Sequence, residues 1–85
     1  MNIYDEASAV AEDLELAGES VEAASIRDSM RIGFTGTEIT GDLRQALKRA
    51  RQRESASRLN LIPRMDRIIS AIEAAVENGT FFFGD

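Results

Sequence analysis

Apolar residues recur along this chain in four blocks, each with the period of an α-helix. In the first, Ile3, Ala7, Val10, Leu14 and Ala17 are spaced alternately four and three apart. That spacing puts them on one stripe of a helix and leaves the acids mostly off it. The helix is expected over residues 2–17, with Gly18 as its stop, since glycine readily takes the left-handed conformation at a helix end. The second block, over 20–32, turns Ala23, Ile26 and Met30 inward, with Ser20 as its N-cap. Glu22 in its first turn and Arg31 in its last have the signs that complement the helix dipole. Gly33 is the expected end.

The third block is expected over 36–54 and has the clearest start in the chain. Thr35 stands at the N-cap and Glu38 three residues later, the pattern of a capping box. The threonine hydroxyl accepts from the Glu38 backbone N–H, and the glutamate accepts from the N–H of Thr35. Phe34 and Ile39 hold the two positions of a hydrophobic staple. Ile39, Leu43, Leu47 and Ala50 then share one face. Residues 54–60 read as a loop. The fourth block, over 61–78, is capped by Asn60 and carries Pro63 in its first turn, where a missing N–H costs little. Leu61, Met65, Ile68, Ile72 and Ala75 form its stripe, widened by Ile62, Ile69 and Val76. Asn78-Gly79 ends it, and a tail over 80–85 contains Phe81, Phe82 and Phe83. The widest apolar face makes this helix the central one. The expected fold is all-α: a single-domain, four-helix bundle with short connections at 18–19 and 33–35 and an aromatic C-terminal tail.

Charge changes the picture. Residues 1–28 hold eight acids and one base, Arg27, whereas residues 44–67 hold eight bases and two acids, Glu54 and Asp66. A net charge of -5 therefore conceals an acidic front and a basic middle, which bounds the kind of partner without naming it. Glu12, Asp13 and Glu15 are candidate partner-binding residues on the first helix. Arg44, Lys48 and Arg51 share one face of the third by i, i+4, i+7 spacing and form a candidate basic patch. Phe81, Phe82 and Phe83 cannot all face one core from an extended segment, so the tail is a third candidate contact.

Composition narrows the chemistry. The chain has 85 residues with no cysteine and no histidine. Disulfides, Cys/His zinc sites and Ser–His or Cys–His nucleophile pairs are excluded. No Gly-rich phosphate loop, EF-hand loop or HExxH motif occurs. No catalytic residue, cofactor or metal is therefore expected, and the protein is read as non-enzymatic. The acidic N-terminus is unlike a secretory signal, and no apolar run reaches membrane-spanning length. Together with the absence of cysteine, this gives a cytoplasmic expectation.

The expected function is a protein–protein interaction module, self-associating as a homodimer through the fourth helix and the phenylalanine tail. The alternative is a small acidic inhibitor, of the immunity or anti-CRISPR kind, whose first helix blocks a nucleic-acid-processing enzyme. The second alternative is direct nucleic-acid binding through the basic patch. A pI near 4.7 and the absence of aromatics between the bases weigh against it.

The segments Leu16-Ala17-Gly18, Ile26-Arg27-Asp28, Gly33-Phe34-Thr35-Gly36-Thr37-Glu38-Ile39, Leu43-Arg44 and Leu47 make up a pattern over Leu16–Leu47. It resembles one found in small helical proteins of bacteria and phage that have no assigned activity. The resemblance implies a bacterial or phage source and a helical fold, and it implies no activity.

Overall fold

Asn2 turns the chain into its first helix. In the computed structural model, which describes residues 2–32 and 36–77, the Asn2 Oδ1 accepts from the Tyr4 N–H at 3.0 Å and the Asp5 N–H at 3.3 Å. Two of the four backbone donors left open at a helix start are thereby satisfied. The described residues form five helices: α1 (Ile3–Leu16), α2 (Ser20–Ile32), α3 (Gly36–Ala50), α4 (Glu54–Arg58) and α5 (Ile62–Glu77). Among the described residues there is no strand. No helix among them is long and apolar enough to cross a membrane.

α1 ends where glycine was expected to end it. Gly18 has φ +90°. The Gly18 N–H donates to the Glu15 carbonyl at 3.0 Å and the Glu19 N–H to the Leu14 carbonyl at 2.9 Å. This pair of bonds is a Schellman motif, which closes the helix on its own orphan carbonyls. The next helix begins one residue earlier than Ser20 implied. Ser20 is already helical, and the Glu19 carbonyl accepts from the Ala23 N–H.

Three expectations fail between residues 51 and 60. The third helix stops at Ala50 instead of running to 54, and the supposed loop contains α4. A helix continued past Ala50 would carry Ser55 and Ala56 onward along its own axis. Instead the chain turns at Arg51–Arg53, and both residues are buried, Ala56 within the core. Asn60 also has a different role. It sits at φ 57°, its N–H donates to the Ser57 carbonyl, and the Leu61 N–H donates to the Ala56 carbonyl at 2.8 Å. Asn60 thus closes α4 in a second Schellman motif, as one of the few residues other than glycine that tolerates this conformation. The Leu61 carbonyl, accepting from Met65, opens α5.

α1 packs on α2 and α5, and α3 packs on α2 and α5. Between them lies one core, which includes Ile3, Val10, Leu14, Ile26, Leu43, Leu47, Leu61, Met65, Ile68 and Ile72. The α5 stripe is buried as expected from Leu61 to Ala75, with Ile69, but Val76 is 54% exposed. The wide apolar face of α5 is therefore covered by the chain's own helices. Gly33, Phe34, Thr35, the Asn78-Gly79 stop and the phenylalanine tail lie outside the described residues.

Candidate protein-interaction surface

Successive residues of a helix point about 100° apart, and α1 uses this to send its acids in three directions. Asp13 accepts from Arg64 Nη1 of α5 at 3.0 Å. Glu15 accepts from Arg27 of α2. Glu12, between them in angle, is exposed and takes part in no ion pair among the described residues. The three candidate acids are therefore split: two hold α1 to its neighbours and one faces outward. Asp5 and Glu6, one to two turns earlier, are likewise unpaired among the described residues.

The candidate basic patch is brought together, and it faces carboxylates. Arg44 and Lys48 both reach Glu73, at 3.3 and 3.5 Å. Arg51 forks onto Asp66, with Nε to Oδ1 at 2.9 Å and Nη2 to Oδ2 at 3.1 Å. From Arg44 in α3 to Arg51 just past its end, the partner moves seven residues back along α5, so the two helices run antiparallel. Exposed pairs of this kind contribute about 0–1 kcal/mol each. Their larger effect is on recognition, because a phosphate approaching this stripe meets Glu73 and Asp66 beside the bases.

Sequence reading missed Asp66 and Glu73 as partners of that stripe. A signal existed: the two acids are seven residues apart on one helix, as Arg44 and Arg51 are on the other. It also missed Glu19, whose role depends on the fold. Glu19 lies in the α1–α2 turn and reaches the α3–α4 turn, accepting from Arg53 Nε at 2.9 Å and from the Ser55 hydroxyl at 2.8 Å. These two donors hold the Glu19 carboxyl below its ordinary value of 4.5. A carboxyl lowered in the folded state contributes stability above that ordinary value and loses it as pH falls through the folded one. Acid unfolding of the wild type is therefore expected to have a steeper dependence on pH than that of Glu19→Gln as pH falls below that ordinary value. Urea titrations at several pH values check this; equal slopes would contradict the assigned role of Glu19.

The last feature is apolar. Leu16 is 80% exposed, Val21 77% and Leu59 39%. All three lie at the end of the molecule where α1 gives way to α2 and α4 to α5. Leu16 and Leu59 line one shallow groove with Asp13 and Ala17. The whole is an all-helical protein with an acidic outer face on α1 and, at the end of that face, a shallow groove lined by Leu16 and Leu59. The chain matches no protein-family model, no curated protein and no solved structure.

Proposed function

We propose that this chain is a non-enzymatic protein-interaction module that meets a positively charged protein surface with the outer face of α1. One observation carries the reading. Eight of the ten lysines and arginines are engaged in ion pairs within the chain. Among the described residues, Asp5, Glu6, Glu12, Glu22, Asp42 and Glu77 are in none. The bases are largely neutralised from within, and the field left over is acidic. Such a field speeds encounter with a basic surface and slows encounter between two like copies.

Asp5 and Glu12, exposed two turns apart on α1 with the half-buried Glu6 to one side, offer a partner what a phosphate backbone offers, fixed negative charge without base edges to read. The partner class that fits is a nucleic-acid-binding protein, and the consequence of binding is occlusion of its basic groove. The α5 stripe, which suggested self-association, is occupied by the chain's own core.

The test reverses charge where no ion pair is lost. Asp5→Lys, Glu6→Lys and Glu12→Lys are combined in one variant, leaving Asp13 and Glu15 to hold Arg64 and Arg27. In affinity capture from a cell extract, the wild type is expected to retain basic nucleic-acid-binding proteins that elute with salt. The triple variant is expected to lose them while unfolding at the same temperature. Equal retention by the two proteins, or retention of nothing basic, overturns the reading.

A further inference from the structure

We propose that the groove between α2 and α3 binds an extended peptide segment of a partner protein, holding an acidic side chain on Arg49 and, three residues along the peptide, a basic side chain on Asp42. The groove shares no residue with the acidic face of α1 and is a second contact site.

Small side chains open this groove. α2 lines it with Ala24, Ser25 and Ser29, and α3 lines it with Asp42, Gln45 and Arg49. The space between them is about 700 Å3, within the range of ligand-binding clefts. Apart from Val21 and Ala24 its lining side chains are polar, so charge and hydrogen bonding select the occupant.

Two opposite charges in the groove are left over by the fold. Arg49 is one of two bases that take part in no ion pair among the described residues. Its Nη2 donates to the Ser25 hydroxyl at 2.9 Å. That bond holds the guanidinium at the groove without neutralising it and leaves its other donors for a carboxylate. Asp42 is exposed and is likewise in no ion pair among the described residues. Asp28 also lines the groove, but Arg31 pairs with it.

Spacing selects the shape of the occupant. Asp42 and Arg49 are seven residues apart on one helix, which puts them on the same face and about 10 Å apart along its axis. At that distance solvent and salt largely screen them from each other. A chain in the polyproline conformation returns to the same side every three residues and rises about 9 Å over that interval. An acidic and a basic residue three apart on such a chain therefore reach both groups together. Gln45 stands between the two, and its amide both donates and accepts, as the N–H and C=O groups of an extended backbone require. Opposite charge at the two ends fixes which way the segment runs.

The probes are two proline-rich peptides of equal composition, one with glutamate three residues before lysine and one with that order exchanged. Fluorescence anisotropy at low salt reads their affinity. The wild type is expected to favour one order by about tenfold. Arg49→Asp combined with Asp42→Arg keeps the net charge and is expected to invert that preference. Both side chains are exposed, so the unfolding midpoint is expected to stay where it is. In the wild type, the amide resonances that shift on adding the favoured peptide are expected to lie along residues 24–29 and 42–49. The Asp5, Glu6 and Glu12 reversal is expected to leave the preference intact, which separates a failure here from a failure of the α1 reading. Binding of neither peptide, equal affinity for both, an unchanged preference in the exchanged variant, or resonance shifts confined to other helices overturns the groove.

Discussion

Truncating Ile68 to alanine is expected to lower the stability of this protein by about 2–5 kcal/mol. Ile68 is fully buried in α5, within the single core that α1, α3 and α5 share. Removing three of its carbons loses their transfer free energy and opens a cavity that the surrounding side chains fill only partly. A domain of this length has about 5–15 kcal/mol of total stability, so the loss is a large fraction of it. Thermal unfolding should fall by roughly 10 °C or more. Val76→Ala on the same helix is the control. Helical periodicity assigns both residues to one face, yet Val76 is exposed, and its truncation should change stability by less than about 0.5 kcal/mol. Comparable losses at the two positions would mean that α5 is rotated or ends differently from the arrangement described here.

Enlarging Ala11 to leucine is the second large effect, expected to cost about 1–3 kcal/mol. Ala11 is buried with no exposed surface, on a helix that packs against both α2 and α5. A methyl group there lets α1 approach its neighbours closely. Three further heavy atoms have nowhere to go in an interior packed to crystal-like density, so either the side chain leaves its rotamer or a helix moves. Chemical denaturation reads the loss directly. A variant as stable as the wild type would show unfilled space beside Ala11 and would contradict the close packing of α1.

These two residues mark how far sequence carries. Ile68 was legible as core because its neighbours at three and four residues form an unbroken apolar stripe. Ala11 was not, since alanine is common on both faces of helices and its hydrophobicity is too small to reveal a direction. Ala46 and Ala56 were missed for the same reason. Val76 was misplaced because periodicity says which face a residue occupies and is silent on where along the helix the neighbours stop covering that face.

The interaction surface divides in the same way. That charges are sorted into an acidic first helix and a basic third helix is visible in the amino-acid order. Which of them are spent inside the molecule is a property of helix pairing. The basic stripe is answered by Asp66 and Glu73 on α5 and by none of the front acids. Glu12 and Arg44 accordingly do not meet: Arg44 is paired across the α3–α5 seam, and Glu12 looks outward from α1.

By itself the sequence determined the helical class, the inward stripes and the stop at Gly18, because all of these follow from interactions within a few residues. Periodic burial and a left-handed glycine need no distant partner. Tertiary structure alone decided the break at Ala50, the Glu19 link between two turns, and which charged residues face solvent. Each of these depends on groups far apart in the chain, such as Glu19 with Arg53 and Ser55 or Arg51 with Asp66. Their energies exist only once the helices have chosen their neighbours.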